Sequence, residues 1–169
     1  MSSKKAAHAA KFTGTFLYGA AAFIKQYRET GKQATLSLII AADAPMGLID
    51  SNDVGIFAAH LLSQADISQH NRAKYVLNGP EDITGEQVVK IVESIIGERV
   101  EDVKYKDLSM LDYMVSETKG SKNVISSIKD GVVSWWEGQH KAESTSKQVL
   151  EIAAPQVTAE QALRAMVEM

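Results

Sequence analysis

The sequence predicts an α/β fold with three or four strands and five or six helices, and three observations carry that prediction. Segments with apolar residues at helical spacing alternate with short runs of β-branched and aliphatic residues. Thr84 and Thr158 each begin a Thr-x-x-Gln sequence, the form of a capping box that opens a helix. Residues 35–41 are largely apolar on both faces, which is typical of a strand covered by helices on both sides.

The first part of the chain predicts helix, strand and helix in turn. Residues 15–30 form an amphipathic helix, and Gly31 suits its C-terminal end. Residues 35–41 form a strand, and the pair Leu48 and Ile49 is a candidate for another. Ser51 is a good N-cap for the next helix. The side chains expected to form its buried stripe are Val54, Phe57, Ala58 and Leu61.

The second part predicts two more strands and four more helices. Residues 65–72 form a surface loop, 74–78 a strand and 100–105 an edge strand guarded by Lys104 and Lys106. Helices follow at about 84–97 and 109–117, then a longer one after Gly120 and Ser121 that is weakened by Gly131 and Gly138, and a last one at 158–169. The polar residues 143–148 are expected to lack regular structure. The side chains expected to be buried on these helices are Val88, Val92, Ile95, Ile96, Val124, Ile128, Val132, Trp135, Leu163, Met166 and Val167.

The N-terminal residues predict a frayed basic tail over 1–11, ahead of one domain over 12–169. The tail contains Lys4, Lys5 and Lys11. A secretory signal peptide is the alternative, since an apolar stretch follows. We favour the helix because Phe16, Phe23, Ile24 and Tyr27 recur at helical spacing and run directly into polar residues.

Composition excludes several classes of function. A net charge of −3 gives no attraction to nucleic acid or to anionic lipid. The chain has no cysteine, which removes disulfides, thiol nucleophiles and thiolate metal sites. No stretch reaches the ~20 apolar residues that a membrane span needs. The four histidines lack zinc-ligand spacing. We therefore expect a cytoplasmic protein without a metal site.

The sequence also lacks the usual motifs of enzymes. No Gly-x-Gly-x-x-Gly turn is present to approach a dinucleotide pyrophosphate. Gly14 and Gly19 have P-loop spacing, but Ala20 and Ala21 stand where lysine and a hydroxyl residue are needed. There is no Tyr-x-x-x-Lys pair and no Gly-x-Ser-x-Gly elbow. These absences leave no catalytic and no cofactor-binding residue to assign.

Two clusters allow a functional and a structural interpretation. Asp50 and Asp53 could form a metal or acid/base pair, but carboxylates at a helix start more commonly bind the free N–H groups and favour the helix dipole. Trp135 and Trp136 point about 100° apart on a helix, so at most one lies fully in the core. The other can line a pocket or an interface, although packing is the favoured role.

Three stretches resemble the second half of NmrA-like proteins, which are atypical short-chain dehydrogenases/reductases. The first is Pro-Met-Gly-Leu-Ile-Asp-Ser-Asn-Asp-Val-Gly at 45–55, and the second is Lys-Tyr-Val-Leu-Asn-Gly-Pro-Glu-Asp-Ile-Thr at 74–84. The third is residues 88–96 followed by Gly-Glu-Arg-Val at 97–100. Fungal ergot-alkaloid reductases have similar patterns. The resemblance implies a partial Rossmann-like sheet that lacks the N-terminal dinucleotide-binding half. It gives Asp50, Asp53, Gly79, Pro80 and Glu81 a structural role.

The resemblance further implies a substrate crevice beyond the carboxyl ends of the strands. We expect its apolar wall to comprise Phe16, Tyr18, Met46, Leu48 and Trp135. The family binds NAD(P), but the glycine-rich loop that would hold it is absent from this chain.

Three functions stay open at this point. The first is an NAD(P)H-dependent reductase of a small molecule, whose cofactor-binding half must come from elsewhere. The second is a non-enzymatic regulator that senses ligand or redox state and binds a protein, and the third is a structural fragment. Helix faces uncovered by a missing sheet would be apolar, so we expect a homo-oligomer or a partner protein.

Overall fold

The computed structural model describes residues 13–118 and 120–168, and these form an α/β fold that is mostly helical. Its helices and strands, in chain order, are α1 (Thr13–Thr30), β1 (Leu36–Ser37), α2 (Ser51–Leu62), α3 (Gly85–Ile96), β2 (Val103–Lys104), α4 (Ser109–Glu117), α5 (Lys122–Trp136), α6 (Lys147–Ala153) and α7 (Ala159–Glu168). Single 3₁₀ turns lie at Ser68–His70 and Ala142–Ser144. The predicted tail over residues 1–11 lies outside the described residues.

The sheet is smaller than the three or four strands predicted: the described residues form two parallel strands, β1 and β2, with Leu36 opposite Val103. The ladder continues for one bond beyond them, from Leu38 N to Lys104 O at 2.8 Å. The chain then bends, because the N–H groups of Lys106 and Asp107 turn back to Ile40 O and Leu38 O, each at 3.0 Å. Both predicted strands, 35–41 and 100–105, are shortened to two residues.

The other predicted strands, 48–49 and 74–78, are wrong. Val76 N donates to Ser146 Oγ at 2.8 Å, and Asn78 N donates to Thr145 Oγ1 at 3.1 Å. In a strand these N–H groups would donate to backbone carbonyls of a neighbouring strand. Here they donate to side-chain hydroxyl oxygens, so residues 74–78 do not form a strand. Met46 pairs with Ile83 in an isolated antiparallel bridge.

The core forms around α1 and the sheet. Leu17, Ala20 and Ile24 on α1 are fully or almost fully buried, and α1 packs against β1, α3 and α7. Residues 38–41 are buried as well, which confirms that this segment is covered on both faces.

Local helix signals in the sequence are confirmed. At α3, Thr84 N donates to Gln87 Oε1 at 2.8 Å, and Gln87 N donates to Thr84 Oγ1 at 3.3 Å. Thr158 and Gln161 form the same reciprocal pair before α7, at 3.0 and 3.2 Å. Gly97 ends α3 with a φ of +78°, a conformation that favours glycine.

The helix count and one buried face differ from prediction. Seven α-helices lie in the described residues rather than five or six, because α6 occupies the segment expected to be irregular. This short helix is fixed by packing, since Val149 is fully buried and α6 lies against α2. On α2 the predicted apolar stripe is wrong: Phe57 is buried, whereas Val54 is 40% exposed.

Besides Phe57, the buried side chain on α2 is the carboxylate of Asp53. Asp53 is buried, and its Oδ2 accepts hydrogen bonds from Gln156 N and Val157 N, both at 3.0 Å. The segment that leads into α7 is thereby tied to the first turn of α2. A charge is tolerated there because two N–H groups bind it.

Gly19 allows α1 to approach β1 at backbone distance, and its substitution tests that contact. A Cβ at this position would lie 1.9 Å from Ser37 O. We expect Gly19→Ala to lower the free energy of unfolding by about 2 kcal/mol or more, since the helix must move off the strand. Urea denaturation measures the change.

Gly131→Ala on α5 is the matched control, because a Cβ there meets nothing within 4 Å. It should raise stability by about 0.5–1 kcal/mol through helix propensity alone. Equal effects of the two substitutions would contradict the close contact.

Asp107 follows β2 and holds the start of α4. Burial by itself raises the pKa of this carboxyl, but hydrogen bonds outweigh it and lower the pKa to about 2. They come from the backbone N–H of Ser109, from the hydroxyls of Ser37 and Ser109, and from Lys104. Ser109 N lies 3.0 Å and Lys104 Nζ 3.2 Å from Asp107 Oδ1. Lys104 thus pairs with Asp107, and its predicted role as an edge guard stays a prediction.

The lowered pKa of Asp107 predicts a loss of stability in acid. Because the folded pKa lies below the unfolded value, the stabilisation is complete above about pH 4 and disappears as pH falls through about 2. The shift is worth about 2 kcal/mol. The difference in unfolding free energy between the wild type and Asp107→Asn, measured by urea titration, should shrink by that amount across this window. Parallel curves for the two proteins would contradict the assignment.

Candidate ligand-binding cavity

A cavity of about 230 Å³ opens between α1, the C-terminal end of α5 and two irregular segments. The first segment, which includes residues 46–49, precedes α2. The second is residues 76–78, where Val76 N and Asn78 N donate hydrogen bonds to the hydroxyls of Ser146 and Thr145. The residues that line the cavity are Phe16, Met46, Gly47, Leu48, Ile49, Leu77, Asn78, Trp135 and His140. Apolar and aromatic walls with few polar groups are typical of sites for small molecules.

Trp135 forms the aromatic wall of the cavity. Its ring meets Phe16 edge to face, with centroids 4.2 Å apart and planes at 72°, and meets His140 at 6.0 Å and 77°. Such edge-to-face contacts are favourable for aromatic rings. The indole is half-buried, which leaves part of it for a ligand.

Trp136, the next residue, points elsewhere. Its Nε1 donates to Ile39 O at 2.8 Å, and Lys106 Nζ lies 5.4 Å from its ring centroid, a cation–π distance. Lys106 is therefore engaged with a ring, and its predicted role as an edge guard stays a prediction. The bond to Ile39 also places the end of α5 just past the carboxyl end of β1, where α/β folds bind ligands.

The polar side chains in the wall are Asn78 and His140. Asn78 is 5% exposed, and its Nδ2 donates to Ser144 Oγ at 3.0 Å and lies 3.4 Å from Thr145 Oγ1. His140 Nε2 lies 2.9 Å from Ser134 Oγ. Asn78 is thus hydrogen-bonded to Ser144 and His140 to Ser134, and these bonds fix the orientation of both side chains.

Two glycines allow the backbone layers of the wall to touch. A Cβ on Gly79 would lie 1.9 Å from Leu48 O, and one on Gly47 would lie 2.9 Å from Ala142 N. Gly47 N donates to His140 O at 2.7 Å, and Gly79 N donates to Gly47 O at 3.1 Å. The backbone N–H groups of both glycines are thus hydrogen-bonded to backbone carbonyls of the wall.

Four of the five residues predicted as a substrate wall lie together at this cavity: Phe16, Met46, Leu48 and Trp135. The fifth, Tyr18, does not. It is 55% exposed and lies at a separate groove with Lys25 and Met166. Whether the cavity takes a substrate stays a prediction. Sequence reasoning missed Asn78 and His140, since one histidine of four has no distinguishing local pattern.

The residues predicted to have a structural role occupy three places. Asp50 caps α2, accepting a hydrogen bond from Asn52 N at 2.8 Å, and Asp53 is buried as described. Gly79 lies in the cavity wall. Pro80 and Glu81 are exposed in the turn that follows.

Among the described residues, no group of three or more His, Asp or Glu side chains is placed to hold a metal ion. The starts of the described helices differ in charge. An acidic residue lies in the first turn of α2, α3, α4 and α7, and none lies in the first turn of α1, α5 and α6. A carboxylate in the first turn disfavours a phosphate at that helix start.

No described helix has the length and apolar character to span a membrane.

Solved structures share this fold. An NADPH-dependent quinone oxidoreductase from Escherichia coli superposes with a TM-score of 0.62 and 15% identity, over 92% of this chain and 52% of its own. Its complex with NADPH gives 0.59 and 17%, over 92% and 50%. Triphenylmethane reductase from Citrobacter sp., complexed with NADP(H), gives 0.56 and 12%, over 84% and 47%.

At such low identity the likeness shows the fold alone, and the chain spans about half the length of these proteins. No protein-family model and no curated protein matches the sequence. The structural neighbours are NADPH-dependent reductases, so the resemblance stated from the motifs is supported at the level of the fold.

Thr145 connects the cavity wall to the segment before α6, and removing its hydroxyl tests that connection. Thr145 is buried, and its Oγ1 accepts the hydrogen bond from Asn78 N. Thr145→Val keeps the shape but leaves this buried N–H unpaired, which should cost about 1–3 kcal/mol of unfolding free energy. Urea denaturation measures the loss.

Thr30→Val is the matched control, since the Thr30 hydroxyl bonds Gln26 O at an exposed helix end. Its effect should stay within about 0.5 kcal/mol. A Thr145→Val effect as small as that of the control would show that the buried hydroxyl contributes nothing.

Proposed function

We propose that this chain is the substrate-side part of an NmrA-like, NAD(P)H-dependent reductase of a small aromatic molecule, with the cavity as one wall of the substrate pocket. The observation that carries the proposal is the cavity itself. Phe16 and Trp135 provide aromatic surface, and only Asn78 and His140 add polar side chains beside the indole. An uncharged ring fits that wall better than a phosphate or a carboxylate does.

The structural neighbours support the same class of ligand. Their names specify a quinone and a triphenylmethane, both built from rings. A cavity of about 230 Å³ is smaller than the roughly 300–1,000 Å³ of most ligand pockets. We therefore assign this chain one wall, with the rest of the pocket supplied by the part that binds the cofactor.

The nicotinamide cofactor belongs, in this proposal, to residues outside this sequence. Four of the seven described helices have a carboxylate in the first turn, and the sequence has no glycine-rich turn of the dinucleotide-binding type. By itself the chain should bind rings and not dinucleotides.

A protein-interaction role is the second candidate, and exposed apolar side chains favour it. On α2, Ile56 is 51% and Leu62 is 81% exposed, and Leu150 on α6 is 54% exposed. Apolar side chains grouped on one region are a common mark of a covered surface. A homo-oligomer or a partner protein over α2 and α6 thus remains part of the proposal.

Tryptophan fluorescence tests the ring site, because one of the two tryptophans lines the cavity. We expect menadione, an uncharged naphthoquinone, to quench the wild type and Trp136→Phe saturably, since both keep Trp135. Trp135→Phe is the matched control and should show no saturable quenching. Calorimetry gives an independent dissociation constant for each protein.

The same preparations test the cofactor assignment. NADPH and NADH should give no saturable change up to millimolar concentration. Saturable micromolar binding would place a dinucleotide site within this chain and overturn that part of the proposal. If neither menadione nor an uncharged aromatic alcohol binds the wild type, the cavity is not a ring site and the reductase proposal is lost.

A further inference from the structure

The polar atoms of the cavity are few, and their existing partners decide what they can offer a ligand. We infer that the cavity selects an aromatic ring that carries a hydroxyl group over the same ring with an acceptor-only group such as an ether. This inference rests on the proposed function, since it takes the cavity as the ligand site. It adds the chemical group by which the ligand is recognised.

The first polar group is His140, and Ser134 determines which of its nitrogens is protonated. Ser134 Oγ lies 2.7 Å from Gly131 O and 2.9 Å from His140 Nε2. A hydroxyl has one proton, and a carbonyl oxygen can only accept. The proton therefore goes to Gly131, and Ser134 Oγ accepts a hydrogen bond from His140 Nε2. The neutral ring is held as the Nε2–H tautomer, with a lone pair on Nδ1 for a ligand.

The second polar group is Asn78, and Ser144 orients its amide by the same logic. Ser144 Oγ donates to Lys141 O at 2.8 Å, so its only proton is used. The amide atom 3.0 Å from Ser144 Oγ must then be the donor, Nδ2. Thr145 Oγ1, at 3.4 Å, lies on the same side. The amide oxygen Oδ1 is the atom left for a ligand, and it is an acceptor.

Both side chains thus offer an acceptor, although each belongs to a residue type that can also donate. Among the donors of the lining side chains, Asn78 Nδ2 and His140 Nε2 are bonded to serines, which leaves the indole N–H of Trp135 for a ligand. A ligand hydroxyl can donate to Nδ1 or Oδ1 and can accept from the indole. An ether or carbonyl oxygen can only accept, so it leaves His140 and Asn78 without a donor. Unpaired polar groups next to a bound ring are costly, and this difference is the source of selectivity.

The test uses two probes that share one ring: β-naphthol, which has a hydroxyl, and its methyl ether, which lacks the donor. Calorimetry on the whole chain gives both dissociation constants. We expect β-naphthol to bind about three- to tenfold more tightly, the value of one net hydrogen bond. The ratio of the two constants is the readout, because a general loss of structure weakens both probes and leaves the ratio unchanged.

Two variants assign the preference to the serine–histidine pair. His140→Phe keeps a ring but removes Nδ1, and it should lower the ratio toward one. Ser134→Ala leaves the imidazole in place but frees its tautomer, and it should lower the ratio partly. Ser116→Ala is the matched control: its hydroxyl also bonds a carbonyl three residues earlier, Tyr113 O at 2.7 Å, but on exposed α4. It should keep the wild-type ratio.

A direct measurement of the tautomer completes the test. Nitrogen NMR of the histidine side chains distinguishes a protonated Nε2 from a protonated Nδ1, and the His140→Phe spectrum assigns the signal. We expect the Nε2–H form for His140. An Nδ1–H form, or equal binding of the two probes, overturns the inference while leaving a ring site intact. If neither probe binds, the proposed function fails and the inference fails with it.

Discussion

The close approach of α1 to β1 is the constraint on which the rest of the structure depends. With no side chain at Gly19, the helix lies against Ser37 at backbone distance. Leu17 and Ile24, on the same helix, then reach the core and exclude water. Because α3 and α7 both pack on α1, the position of this helix sets the spacing of the main hydrophobic core.

The same contact determines the geometry of the cavity. Phe16 lies one turn before Gly19 on α1. The packing of α1 on β1 therefore also places the Phe16 ring in edge-to-face contact with Trp135. From the other side, Trp136 fixes the end of α5 to Ile39 O. The aromatic wall is therefore tied to the sheet through two elements. Under the proposed function, selection between rings then falls to the few polar atoms of this wall.

Sequence reasoning succeeded where the chemistry is local and failed where it is not. The capping boxes at Thr84 and Thr158 join residues three positions apart, so their pattern is visible in the chain. Residues 74–78 have strand composition, but their partners are hydroxyls 67 and 70 positions away. On α2 a carboxylate takes the inward position, which apolar periodicity does not reveal. The aromatic part of the cavity was predicted, whereas His140 acquires its place only through contact with Ser134 and Trp135.

Charge is distributed unevenly over the helix starts of this chain. Four helices have an acidic residue in the first turn, among them Asp53, Glu86 and Glu160, and a phosphate is disfavoured at those four starts. The cavity is different, because aromatic and apolar side chains line it and only Asn78 and His140 add polar groups beside the indole. Under the proposed function, recognition of an uncharged ring therefore depends on neutral groups of this chain, and it is measurable without the cofactor.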